Sequence, residues 1–326
     1  MSVFIYAVIG YVALCQATTP VPIILDTDLG DDIDDTWALA FLLGREEISI
    51  QLVVTAADDT PTKTRLLAKM LSYIGRTDIP IGIGVKTSDR PINQAQWLGD
   101  FSLKDYRGKV YEDGVQAMID HIRAAEHPIT LCVIGPETNV AEALRRAPEI
   151  AEKARVVAMA GSVYVGYNGA RERAAEWNII KDVAAAKAVF KAPWEITLAP
   201  LDLCGTLRLQ GPLYQRVADA ATPLARVVRE NYDAWTHRKE YPKDASSVLF
   251  DTAAAYLCFD EANVDTETIP LIVTENGMTE PNPAGRPVRC ALRWKDVSQF
   301  QTLLVETLTR TPSQKQARTI KHTDAH

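Results

Sequence analysis

The stretch Ile23-Ile24-Leu25-Asp26-Thr27-Asp28-Leu29-Gly30-Asp31-Asp32-Ile33-Asp34-Asp35 runs from an apolar segment straight into six aspartates within ten residues. A short apolar run that stops abruptly and opens a helical pattern reads as a buried strand handing over to a helix. A helix N-terminus favours one or two carboxylates. Six exceed that need, and a cation is the simplest way to hold crowded carboxylates together. With no His or Cys beside them, hard oxygen donors favour Ca²⁺ or Mg²⁺ over zinc. Gly30 permits the tight turn that lets carboxylates on both sides of it converge.

Outward from this loop, apolar runs alternate with helical patterns. Strands are expected at Pro22–Leu25, Ile48–Thr55, Ile79–Ile83, Ile129–Ile134, Arg155–Met159 and Glu195–Ala199. Helices are expected at Asp35–Leu43, Thr62–Ile74, Asp113–Ala125, Asn139–Arg146 and Val183–Phe190. This alternation predicts an α/β fold, a mostly parallel open sheet with helices on both faces. Ligands of such sheets bind beyond the carboxyl ends of the strands. Gly211–Phe259 reads mostly helical. Ile269–Thr274 and Pro287–Trp294 form a late strand pair joined by the turn-rich Glu275–Arg286, and a helix over Asp296–Thr309 follows.

Of the 326 residues 47% are hydrophobic and 24% charged, an ordinary globular composition. The net charge of −7 and the lack of a basic block argue against a nucleic-acid partner and for a small neutral or weakly charged substrate. Val3–Leu14 is apolar and short, followed by the small and polar residues of Cys15–Thr19. That pattern predicts a signal peptide over residues 1–19 and a secreted or periplasmic protein, not a stable membrane span. A lipoprotein anchor at Cys15 is the weaker alternative. A single domain is expected over 20–311, with a polar tail over 312–326. Cys132, Cys204, Cys258 and Cys290 make no CxxC pair and read as buried free thiols.

The segment Asp26-Thr27-Asp28-Leu29-Gly30, followed by Asp34-Asp35-Thr36-Trp37-Ala38-Leu39, resembles the N-terminal signature of the nucleoside hydrolase family, whose usual form is Asp-x-Asp-Pro-Gly-x-Asp-Asp. Here Leu29 replaces Pro, and two more residues separate the Gly from the Asp pair. Further similarity lies in Gly135-Pro136-Glu137-Thr138-Asn139, in Met159-Ala160-Gly161-Ser162, in Glu176-Trp177-Asn178 and in Phe250-Asp251-Thr252-Ala253-Ala254. The likeness extends from residue 22 to about residue 310. It implies a Rossmann-like core and hydrolysis of ribonucleosides to free base and ribose by a Ca²⁺-bound water activated by an Asp.

The resemblance implies Asp28 as catalytic base. It implies Asp28, Asp35, Asp251 and the Ile134 carbonyl as metal ligands, and Asp34, Asp59, Asn168, Glu176 and Asn178 as sugar contacts. The two extra loop residues make Asp32 a rival of Asp34 for either the metal or the ribose. Asp59 reads equally as a helix cap. Phe250 stands where many members carry a His that protonates the departing base. His237, Trp235, Tyr232 and Tyr241, just upstream, are candidates to stack on or protonate that base, or are ordinary helix-surface and core aromatics. A homo-oligomer is also implied. Two other readings stand beside this one: a catalytically weak ribosyl-ligand binding protein of the same fold, and a haloacid-dehalogenase-like phosphatase, which also opens with strand-Asp-x-Asp.

Overall fold

The computed structural model describes residues 19–311; the expected signal peptide and polar tail fall outside them, Thr19 apart. One ten-stranded sheet organises the chain. Its strands are β1 (Val21–Thr27), β2 (Ile48–Thr55), β3 (Ile81–Ile83), β4 (Val110–Tyr111), β5 (Ile129–Val133), β6 (Ala154–Ala158), β7 (Ile196–Leu198), β8 (Val264–Val273), β9 (Thr279–Pro281) and β10 (Arg286–Trp294). They lie in the order β4-β3-β2-β1-β5-β6-β7-β10-β8-β9. Every pairing from β4 across to β10 is parallel, and only β10–β8 and β8–β9 are antiparallel. The mostly parallel sheet with helices on both faces is therefore present.

Alternation along β1 shows how the sheet is buried. Ile23 and Leu25 face one apolar layer, which includes Trp37, Phe41 and Phe300, while Ile24 faces the other, with Leu52, Leu131 and Val133. A strand covered on both faces is continuously apolar, and that is why Ile23–Leu25 carries no polar residue. β1 has β2 on one side and β5 on the other, so the connection order reverses at β1. That reversal opens a crevice at the carboxyl ends of β1 and β5, the place where such sheets bind ligands.

Helix Asp34–Leu43 is buried along its whole length. It packs on helix Phe250–Leu257 and helix Pro223–Ala234, which brings residue 251 back to the loop after β1. Two strands escape the sequence pattern: β4 has two residues and β9 has three, too few for alternation to register. β9 lies inside the stretch expected to be turn alone. Among the described residues no helix is long and apolar enough to cross a membrane.

Candidate active site

The acidic loop hangs from its backbone carbonyls. Lys63 Nζ donates to the Asp28 carbonyl at 2.9 Å, Asn93 N–H to the Gly30 carbonyl at 2.8 Å, and Gln94 Nε2 to the Asp32 carbonyl at 2.9 Å. The Asp31 carbonyl accepts from both Asn93 Nδ2 at 2.9 Å and Trp235 Nε1 at 3.0 Å. These donors come from three separate parts of the chain. With the carbonyls drawn outward, Asp28, Asp31, Asp32, Asp34 and Asp35 all line one cavity of about 290 Å³, at the lower end of small-molecule sites. Its other walls include Ile134, Met159, Glu176, Asn178 and Asp251, with an aromatic and polar rim of Trp177, Trp235, His237 and Tyr241.

Asp34, Asp35 and Asp251 converge at this cavity. Each offers an oxygen, and the three oxygens lie within 4.8 Å of one another. Asp34 and Asp35 open helix Asp34–Leu43, and Asp251 lies in the first turn of helix Phe250–Leu257. The Asp251 N–H donates to Asp34 Oδ2 at 3.2 Å, which locks the two helix starts together. Thr27 Oγ1 donates to Asp35 Oδ1. All three carboxyls are held well above the ordinary carboxylate range, first by burial and then by the charges of neighbouring aspartates: Asp32 and Asp28 for Asp34, Asp28 and Asp34 for Asp35, and Asp34, Asp35 and Asp28 for Asp251. Three buried oxygen donors whose ionisation is opposed by desolvation and by crowded neighbouring carboxylates are a fit for a hard divalent cation.

The positions expected from sequence fall into distinct groups. Asp35 and Asp251 join the acidic trio, as implied. Its third member is Asp34 and not Asp32. The extra residues leave Asp32 ahead of the helix, where its Oδ1 accepts from the Ile33 N–H at 2.7 Å; it lines the cavity without joining the trio. Asp28 lines the same cavity, and its charge raises all three members, but it stands beside the trio. Its backbone is pinned by Lys63 and packed against Gly135, where an added Cβ would meet the Asp28 nitrogen at 2.8 Å and Oδ1 at 3.0 Å. Burial, partly offset by Lys63, pushes the Asp28 carboxyl up to about 7.

Ile134, implied as a carbonyl ligand, lines the cavity wall. Asn178 also lines it, its Nδ2 donating to the Met159 carbonyl at 3.0 Å. Glu176 lines the cavity but already accepts from three backbone N–H groups, of Gly161, Asn178 and Ile179. Its carboxylate therefore fixes the start of helix Trp177–Lys181 as well as presenting oxygen to the cavity.

Two expected sugar contacts are not brought to this cavity. Asp59 accepts from Thr62 Oγ1 at 2.6 Å and pairs with Lys86 at 3.3 Å, the behaviour of a residue ordering a helix start. Asn168 sits in a left-handed turn, with φ of 56°, and its Oδ1 accepts from Arg208 at 3.2 Å. Asp26 points away as well: its Oδ2 accepts from Asn139 Nδ2 at 3.0 Å.

Lys63, Asn93, Gln94 and Trp235 were not foreseen as supports of the loop. Lys63 is wholly buried, and its three donors go to Asp28 O, to Asp31 Oδ2 at 3.0 Å and to Ala56 O at 3.1 Å. A lone lysine on the apolar side of an amphipathic helix was the signal that could have found it.

Comparison with known proteins bears on the family and the fold. The model of the family described as inosine-uridine preferring nucleoside hydrolase matches residues 23–325. The inosine-uridine preferring nucleoside hydrolase of Crithidia fasciculata is 30% identical over 276 residues, covering 79% of this chain and 85% of that protein. The pyrimidine-specific ribonucleoside hydrolase RihA of Enterobacter sp. (strain 638) is 33% identical over 230 residues, covering 65% of this chain and 70% of that protein. Among solved structures, a plant nucleoside hydrolase superposes with a TM-score of 0.77 at 24% identity, over 90% of this chain and 100% of that one.

Two outcomes follow from the buried charges. Lys63→Met leaves Asp31 without its buried partner and is expected to destabilise the protein by about 3–5 kcal/mol, measured by urea unfolding; an unchanged midpoint contradicts the supporting role. Burial raises Asp26, Asp28 and Glu176 to about 7 and Glu137 to about 8. Between about pH 4 and pH 8 the folded chain thus keeps protons that the unfolded chain has released, so stability falls as pH rises. Metal-stripped protein is expected to melt lower at pH 8 than at pH 5, with added divalent cation raising the melting temperature most at pH 8. A melting temperature that rises with pH in stripped protein contradicts this.

Proposed function

The chain belongs to the inosine-uridine preferring nucleoside hydrolase family and is an N-ribosyl hydrolase; from that premise we propose that it cleaves ribonucleosides with a calcium ion held at Asp34, Asp35 and Asp251, and with Asp28 as the base. The observation that carries this reading is the meeting of carboxylates from residues 34, 35 and 251 at the carboxyl end of β1. The Ile134 carbonyl, on the same wall, completes the oxygen donors. When bound, the cation supplies Lewis acidity that makes water easier to deprotonate.

The residues of the chain divide the remaining work. Asp28 takes a proton from the attacking water; a carboxyl pushed up to about 7 suits that role near neutrality. The water oxygen bonds to the anomeric carbon as the bond to the base nitrogen breaks, and positive charge builds on the sugar ring. Glu176, with the neighbouring aspartates, supplies negative potential to that ring. Asn178, fixed through Met159, and Glu176 orient the sugar hydroxyls. The rim formed by Trp177, Trp235 and Tyr241 receives the base.

The substrates proposed are purine and pyrimidine ribonucleosides, since the named relatives span an inosine-uridine preferring and a pyrimidine-specific hydrolase. The export expected from the N-terminal apolar run places this activity outside the cytoplasm, in salvage.

Release of reducing sugar from inosine, uridine and cytidine tests the reading. Asp28→Ala is expected to lower kcat by at least about 100-fold with an unchanged circular dichroism spectrum; normal turnover by that variant contradicts the base assignment. Exhaustive chelation is expected to abolish sugar release and Ca²⁺ to restore it, whereas full activity in metal-free protein contradicts the cation's part. Tight nucleoside binding without sugar release would instead identify a binding protein.

A further inference from the structure

A nucleobase is a poor leaving group as an anion, and a proton delivered as the bond to the sugar breaks speeds its departure. Phe250 cannot supply it; its ring lines the cavity and packs edge-on against Tyr167, centroids 6.0 Å apart. Most other polar groups at the cavity rim are already committed. Trp235 Nε1 donates to the Asp31 carbonyl. Tyr167 Oη accepts from the Trp177 N–H at 2.8 Å, and burial holds its phenol above the ordinary tyrosine range. The Arg90 guanidinium lies between Asp31 at 3.9 Å and Asp58 at 3.8 Å.

We propose that His237 is the acid that protonates the departing base, with Glu240 as its positioning residue; the inference rests on the nucleoside hydrolase reading above. Both side chains line the cavity. His237 Nδ1 lies 2.6 Å from Glu240 Oε1, so Nδ1 carries the hydrogen that goes to the carboxylate and Nε2 remains for the ligand. The ring is braced edge-on against Trp235, centroids 5.4 Å apart. Trp235 and Thr236 are themselves tied to the acidic-loop assembly, through the Asp31 carbonyl and through the Asn93 carbonyl at 3.1 Å. The imidazole is thus held by the same supports that aim the carboxylates. Its side chain is 46% exposed, open enough to regain a proton from solvent after each turnover.

The step balances as follows. The electron pair of the sugar–base bond passes to the base, and the base takes the proton from Nε2 of the imidazolium. The water oxygen bonds to the anomeric carbon and gives its proton to Asp28. Ribose and neutral base leave, Asp28 releases its proton to solvent, and His237 takes one up from solvent, which restores both groups. Tyr241, stacked on Trp235 with centroids 5.7 Å apart, is the rival donor.

The test compares two leaving groups in the calcium-loaded protein. Inosine needs a proton on its base, whereas 4-nitrophenyl β-D-ribofuranoside releases a phenolate that departs without one. His237→Ala is expected to lose about 100-fold or more in kcat on inosine, and the loss on the nitrophenyl riboside should be at least tenfold smaller. Glu240→Gln should show the same selectivity to a lesser degree. Equal losses on both substrates, no loss on inosine, or a selective loss in Tyr241→Phe in place of His237→Ala overturns the assignment. Wild-type protein that releases sugar from neither substrate overturns the hydrolase reading itself, and this inference with it.

Discussion

Carboxylates packed out of water repel one another, and everything about this cavity follows from how the chain holds them together. Burial alone would scatter or protonate Asp28, Asp34, Asp35 and Asp251. The fold counters this through the main chain. Donors from Lys63, Asn93, Gln94 and Trp235 capture the loop carbonyls, so the side chains have one direction left. Lys63 also neutralises Asp31, which leaves the trio of Asp34, Asp35 and Asp251 as a focus of uncompensated negative charge. A hard cation is the counter-charge that such a focus fits.

The sheet supplies the place. Parallel strands end on the same side, and the reversal of connection order at β1 separates the helices that would otherwise cover that end. The loop after β1, Ile134 after β5 and the start of helix Phe250–Leu257 meet in that gap. The cavity is lined both by carboxylates and by the aromatic side chains of Trp235, Tyr241 and Trp177. In the proposed reaction the carboxylates stabilise positive charge on the sugar ring and the aromatic side chains hold a flat, weakly polar base.

Much of this was legible in the sequence because it was local. The apolar run before Asp26 announced a central buried strand, and six aspartates in ten residues announced the carboxylate cluster. The roles of Asp251, Glu176 and Asn178 came only through resemblance, since no local pattern joins residue 251 to residue 34. The exchange of Asp32 for Asp34 in the trio reflects helix geometry: the first helical turn points Asp34 and Asp35 inward and leaves Asp32 on the preceding turn. Asp59 could be read two ways in the sequence, because a carboxylate after a strand serves a helix start as well as a sugar; in the structure it pairs with Thr62 and Lys86 away from the cavity lining. The supports at Lys63, Asn93 and Gln94 were hidden in segments that read as an ordinary helix and a loop, and their function exists only once the chain has closed on itself.

The central claim is that carboxylates from both ends of the domain act on a single ion. Calorimetric titration of Ca²⁺ into metal-stripped wild type, Asp35→Asn, Asp251→Asn and the double variant measures it directly. The account predicts one ion per chain in the wild type, a large loss of affinity in each single variant, and a double variant little weaker than either, because both side chains serve the same site. Undiminished affinity in Asp251→Asn, or two losses that simply add, would contradict it.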